Sequence, residues 1–129
     1  MADIVVDTDI LIDVGRGIRT AIDALSGWEA EMVVGVSAIT YMELLVGCRD
    51  KREQRAIEQF IERFELISVD YEITEIAIRM LKQYRLSHGL LIADALIAAT
   101  AIAKGIPLVS KNQKDYRYID ELELWPYPL

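Results

Sequence analysis

Hydrophobic residues along this chain come in two rhythms. Short runs of apolar, mostly β-branched residues bounded by polar ones predict strands at Ile4–Val6, Met32–Val36, Leu66–Val69 and Pro107–Val109, with Glu123–Trp125 as a short edge strand. Between them apolar positions recur at helical spacing. Ile10, Leu11 and Val14 predict a helix ending near Gly15-Arg16-Gly17, and Ile18, Ile22 and Leu25 a second that breaks at Ser26-Gly27. Ser37, in an N-cap position, opens a nearly all-apolar helix over Ala38–Val46 that stops around Gly47. Asp50–Arg63 is amphipathic, with Ile57, Phe60, Ile61 and Phe64 on one face. Ile73, Ile76, Ala77, Met80, Leu81 and Tyr84 mark a long helix through Leu86, stopped by Ser87-His88-Gly89. Leu91–Lys104 is an Ala-rich helix closed by Gly105 and Pro107, and Ser110–Tyr118 is a polar segment.

Strands separated by helices imply a parallel sheet with right-handed crossovers, covered on both faces. No internal repeat, low-complexity tract or linker interrupts the pattern, so residues 1–129 are expected to form one domain. A chain of 129 residues, 53% hydrophobic and 27% charged, fits a globular protein and argues against disorder. The most apolar segment, Leu90–Ala103, is too short to span a bilayer and carries Asp94 near its start. The amino terminus has acids where a secretion signal would have a basic stretch, and the single Cys48 cannot form an internal disulfide. These features predict a soluble cytoplasmic protein with no membrane role and with Cys48 as a small buried hydrophobe.

Charge and its placement change the picture most. The strand Ile4–Val6 ends abruptly in Asp7-Thr8-Asp9, where the sheet hands over to a helix. Ligands in open α/β sheets bind at that carboxyl end. Glu43 lies within a helix otherwise almost free of charge, and Asp94 is the only ionisable group between Leu90 and Ala103. Burying an isolated carboxylate in such a helix costs several kcal/mol unless something compensates it. Each acid taken alone could instead face solvent on a narrow polar stripe. Jointly they are more telling: Asp7, Glu43, and the group Ser110, Asn112 and Asp115 all follow strands, while Asp94 opens the helix leading into the fourth. All could converge at one edge of the sheet. Oxygen ligands without Cys or a His pair suit a hard divalent cation, Mg²⁺ or Mn²⁺, better than zinc, and an ion would relieve the repulsion among them.

Four blocks carry a resemblance: IVVDTDILID (Ile4–Asp13), VSAITYMELLVG (Val36–Gly47), IADALIAATA (Ile92–Ala101) and LVSKNQKDYRYI (Leu108–Ile119). In this order and spacing, over nearly the whole chain, they resemble the PIN-domain ribonucleases, and within them the VapC toxins of toxin–antitoxin pairs. The resemblance implies a three-layer α/β/α fold with a central parallel sheet of four or five short strands, and a metal-dependent endoribonuclease site that leaves a 5′-phosphate and a 3′-hydroxyl. Asp7, Glu43 and Asp94 match the family's three acidic, metal-holding residues. Asn112 stands at a fourth position that is often Asp, a departure that Asp115, one short turn later, could make good directly or through water. Thr8 and Ser110 match hydroxyl positions lining the site, whereas Asp9 is expected to be a helix-start residue and not a ligand. The resemblance also implies an RNA substrate, a VapB-like antitoxin whose basic or aromatic segment plugs the acidic site, and a homodimer.

A net charge of −7 argues against unspecific polyanion binding as the driver. Two basic stretches nevertheless stand out: Arg49, Lys51, Arg52 and Arg55, and, near the expected site, Lys111, Lys114 and Arg117. They could track RNA phosphates or simply solvate helix faces. His88 is expected in a loop. Tyr116 and Tyr118, alternating around Arg117, are expected to pack, since no base-stacking platform is visible. Ile18, Ile22, Leu25 and the Ile57–Phe64 face could serve partners or the core. Three other readings compete. The Asp7-Thr8-Asp9 triple resembles the opening of a haloacid-dehalogenase-like phosphatase with Asp7 as nucleophile, although the downstream Lys and acid pair fit poorly. A response-regulator receiver domain would want its phosphoacceptor after the third strand and a Lys-Pro pair after the last. A non-catalytic PIN-like module could keep its acids to bind a partner's arginines.

Overall fold

Five strands, all parallel, lie side by side in the computed structural model, which describes residues 1–128: β1 (Ile4–Val6), β2 (Val34–Ser37), β3 (Glu65–Ile67), β4 (Leu108–Val109) and β5 (Leu124–Trp125). Their order is β3-β2-β1-β4-β5, so β1 is central and bonded on both edges. Ile4 pairs with Val34 on one side, and Val6 pairs with Val109 on the other.

Seven helices connect the strands: α1 (Thr8–Gly15), α2 (Arg19–Glu31), α3 (Ala38–Val46), α4 (Lys51–Ile61), α5 (Tyr71–His88), α6 (Ile92–Lys104) and α7 (Gln113–Tyr116). Alternation along β1 sorts them into layers. Val5 points into one core with Ile73, Ala77 and Met80 of α5 and Ile97 and Ala98 of α6. Ile4 and Val6 point into the other with Ile10 and Leu11 of α1, Leu25 and Trp28 of α2, and Ile61 of α4. The result is the expected three-layer α/β/α arrangement around a parallel sheet.

Side-chain caps explain several helix starts. Ser37 accepts a hydrogen bond from Ile39 N, Asp50 from Glu53 N and Asp70 from Ile73 N, each satisfying an amide the helix itself leaves free. One expected break is overturned: α2 runs through Ser26-Gly27 to Glu31. Ala21, Leu25 and Trp28 form a continuous buried stripe, and Gly27 lies on the open side, so burial outweighs the modest helix cost of one glycine. Segment ends also shift. β2 takes in Ser37, β3 sits at Glu65–Ile67 and not Leu66–Val69, α4 stops at Ile61, and His88 is the last residue of α5, not a loop residue. Leu25, Ile61 and Phe64 are core, whereas Ile18 is exposed.

Gly35 is dictated by crowding in β2. A Cβ there would stand 2.7 Å from Ala2 Cβ and 3.0 Å from both Ile4 O and Ile67 Cδ1.

Candidate active site

β1 leads through crossovers to β2 and β3 on one side, while the later strands add on the other, so the chain reverses direction across the sheet between β1 and β4. That reversal leaves a crevice at the carboxyl edge, the place where α/β sheets bind ligands. Asp7 follows β1 and Ser110 follows β4. The two ends are tied together, Asp7 N donating to Val109 O at 3.0 Å.

Asp7 is buried, 5% exposed, and each carboxylate oxygen has a donor: Thr8 N to Oδ1 at 2.8 Å and Ser110 Oγ to Oδ2 at 2.7 Å. Burial raises its pKa from 3.8 to about 7, and the charges of Asp9 and then Asp94 add to the rise against the lowering effect of the Ser110 and Thr8 bonds. Ser110 Oγ also lies 3.2 Å from Asp9 Oδ2, and its single proton serves the shorter contact to Asp7.

Glu43 is exposed on α3 but oriented from below. Thr8 Oγ1 donates to Glu43 Oε1 at 2.6 Å and lies 2.9 Å from Thr40 Oγ1, so a hydroxyl pair links the start of α1 to α3. Asp94, half-buried in the first turn of α6, accepts a hydrogen bond from Tyr116 Oη at 3.1 Å. Burial pushes the Asp94 carboxyl up, the Tyr116 bond opposes this, and the charges of Asp115, Glu43 and Asp9 raise it further. Asp94 thus lies within the electrostatic reach of Glu43, Asp9 and Asp115, and Asp7 within that of Asp9 and Asp94.

Asn112 and Asp115 stand at its rim, both exposed. The Asn112 backbone N donates to Asp9 Oδ2 at 3.1 Å and to Ser110 Oγ at 3.0 Å, and its side chain makes no capping bond to α7. Asp9, in the first turn of α1, reaches across to clasp the loop after β4, taking Lys111 N at 3.3 Å as well. Burial raises its carboxyl despite these bonds.

Two contributors escaped the sequence reading. Tyr116 is 1% exposed and holds Asp94, and its phenol is pushed well above its ordinary value by burial and by the charges of Asp7 and Asp94, so it stays a donor. Its signal was faint: Tyr116 and Ile119, three apart, are buried in an otherwise polar segment. The other is Thr40, buried and paired to Thr8.

All these donors are oxygens, which fits a hard divalent cation and not a thiophilic one. Glu43 rests on Thr8 and Asp94 on Tyr116. Among the described residues no three Asp, Glu, Cys or His side chains stand close enough together to hold a metal ion as they are placed.

The PIN-domain family model matches residues 4–122. The chain belongs to the PIN-domain family. Ribonuclease VapC1 of Methanocaldococcus jannaschii is 35% identical to this PIN domain over 126 residues, covering 96% of this chain and 86% of that protein. Ribonuclease VapC of Rickettsia bellii is 31% identical over 136 residues, covering 98% and 97%. Among solved structures, a toxin–antitoxin complex from Klebsiella pneumoniae superposes with a TM-score of 0.79 at 30% identity, covering 95% of each chain.

This setting gives no support to Asp7 as a phosphatase nucleophile: both its oxygens are already hydrogen-bonded and its carboxyl is pushed up to about 7. Around the PIN-domain crevice the second basic stretch divides. Lys111 Nζ bonds Asp13 Oδ2 at 2.9 Å, whereas Lys114 and Arg117 are exposed and form no ion pair among the described residues. A groove of about 870 Å³ also opens beside Glu43. Leu11, Ile12, Leu44, Ile57 and Phe60 line it between α1, α3 and α4, and Arg16, Arg49 and Arg63 stand on its walls. Arg49 is engaged with Glu53 and Arg63 with Glu29.

Proposed function

We propose that this chain is a metal-dependent endoribonuclease of the VapC kind, the toxin of a toxin–antitoxin pair, working as a single domain. The observation that carries the reading is Asp7, a buried carboxylate at the crevice between β1 and β4, in the field of Asp9 and Asp94. A carboxylate held so far above its ordinary pKa is expensive to ionise alone and cheap to ionise beside a cation. The names of the relatives, ribonucleases VapC1 and VapC, support the same activity.

In this reading Asp7 and Asp94, with Glu43 directly or through water, hold Mg²⁺ or Mn²⁺. When bound, such an ion supplies charge neutralisation at the scissile phosphate and activation of water. The chain's own residues do the positioning. Ser110 and Thr8 fix Asp7, the Thr8–Thr40 pair sets Glu43, and Tyr116 sets Asp94. Asn112 and Asp115, at the rim, are placed to orient water or phosphate, which suits a reaction governed by positioning and charge.

A VapB-like antitoxin would plug the acidic crevice of Asp7, Glu43 and Asp94 with a basic or aromatic segment, with a homodimer as the working unit. The neighbouring Klebsiella structure is itself a toxin–antitoxin complex. No helix among the described residues is long and apolar enough to cross a membrane, and we place the activity in the cytoplasm. Incubating purified protein with RNA and Mn²⁺, with and without EDTA, tests the reading. Cleavage that EDTA abolishes and Asp7→Asn removes is expected. Binding to RNA or antitoxin without any cleavage would leave the non-catalytic module in its place.

A further inference from the structure

A second cleft, of about 430 Å³, lies beside the acids and is lined by His88, Lys114, Asp115, Arg117 and Tyr118. Its wall is an aromatic stack. The His88 imidazole lies on the Tyr118 ring, centroids 4.1 Å apart and planes 7° from parallel. Tyr84, 7% exposed and so anchored in the core, braces Tyr118 edge-on at 5.2 Å. Ser87 Oγ, 2.8 Å from His88 Nδ1, gives the exposed imidazole a second tether. A rigid, half-open stack of this kind offers a planar face at little cost in side-chain entropy.

The floor of the cleft supplies charge. Lys114 and Arg117 sit one α7 turn apart, exposed and with no acidic partner among the described residues, in a chain whose net charge is −7. Asp115 lines the same cleft and acts on Asp94, and the charges of Asp94 and Asp115 reach Tyr118 in turn. A ligand here would therefore lie within the field of the acidic centre. An aromatic face beside two free cations matches one nucleotide unit, a base for the stack and a phosphate for Lys114 and Arg117. A cationic peptide would be opposed by Lys114 and Arg117, and a purely apolar one would leave both of them unpaired.

We propose that this cleft is a nucleotide subsite that holds one unpaired base of single-stranded RNA against the His88–Tyr118 stack, with its phosphate on Lys114 and Arg117, and so sets where the strand is cut. The proposal rests on the ribonuclease reading above. It requires the substrate to be single-stranded here, because a base paired in a helix cannot present its face.

Cleavage of a short single-stranded RNA tests it, comparing wild type with His88→Ala, His88→Phe and Lys114→Ala/Arg117→Ala. An abasic site is moved through the oligonucleotide one position at a time. His88→Ala is expected to raise KM about tenfold with kcat near the wild-type value, and His88→Phe, which keeps a stacking ring, to restore KM. One abasic position should cost wild type a similar factor and cost His88→Ala nothing further. Wild-type cleavage with KM and cut position unchanged in both His88→Ala and the Lys114/Arg117 variant would overturn the subsite and leave the ribonuclease standing. The same result accompanied by loss of affinity for an acidic peptide would assign the cleft to a protein partner instead. Absence of any cleavage by wild type would remove the ribonuclease reading, and the subsite with it.

Discussion

Asp7 concentrates the physics of this molecule in one side chain. Its carboxyl is raised from 3.8 to about 7, so the fold favours the protonated form. For the metal-free protein, the stability tied to that proton is fully present below about pH 4 and is lost as the pH rises through about 7. Asp7→Asn, neutral at every pH, avoids this loss. Urea unfolding of the metal-free proteins should therefore show Asp7→Asn gaining on wild type by up to about 4 kcal/mol between roughly pH 4 and pH 8, while RNA cleavage is abolished. A stability difference independent of pH would mean that the carboxylate is compensated within the protein alone. Tyr116 makes the complementary case. Tyr116→Phe keeps the buried ring and removes the bond to Asp94, so a loss of only about 1 kcal/mol in stability is expected. Mn²⁺ affinity should fall more visibly than stability, because Asp94 loses the donor that favours its charged form.

Elements were legible where hydrophobic rhythm and burial agree. Ile4–Val6 is a strand because all three residues are buried on one face or the other, and Ala38–Val46 is a helix because Ser37 caps it. The Ser26-Gly27 break failed for a tertiary reason, since Leu25 and Trp28 are core residues that carry the helix across. Asp7, Glu43 and Asp94 were visible as charges in apolar surroundings. Tyr116 was not, because its role depends on Asp94 lying 22 positions earlier. The His88–Tyr118 stack was hidden for the same reason, each residue looking like a local loop or packing residue until the end of α5 meets the segment after α7. Two substitutions test how the strands hold the site. Gly35→Ala forces a methyl to within 2.7 Å of Ala2 Cβ in the middle of the sheet, and thermal or urea unfolding should register a loss of about 1–3 kcal/mol. Ser110→Ala removes the donor to Asp7 and the acceptor for Asn112 N, with a similar loss of about 1–3 kcal/mol and a sharp fall in cleavage.

The whole molecule carries a net charge of −7, yet its substrate is expected to be a polyanion. Local charge eases the conflict: Lys114 and Arg117 stand in the cleft with Asp115, without ion-pair partners among the described residues. If Lys114 neutralises one phosphate, Lys114→Ala should make the salt dependence of single-stranded RNA binding shallower by about 0.7 in log–log slope, and an unchanged slope would assign it to solvent. Bringing the carboxylates of Asp7, Glu43 and Asp94 around one divalent ion is the claim on which the enzyme depends. Calorimetric titration of Mn²⁺ into the purified protein tests it most directly. Wild type should bind the ion, and Asp7→Asn, Glu43→Gln and Asp94→Asn should each weaken binding by at least about tenfold. Equal affinity in wild type and all three variants would contradict it.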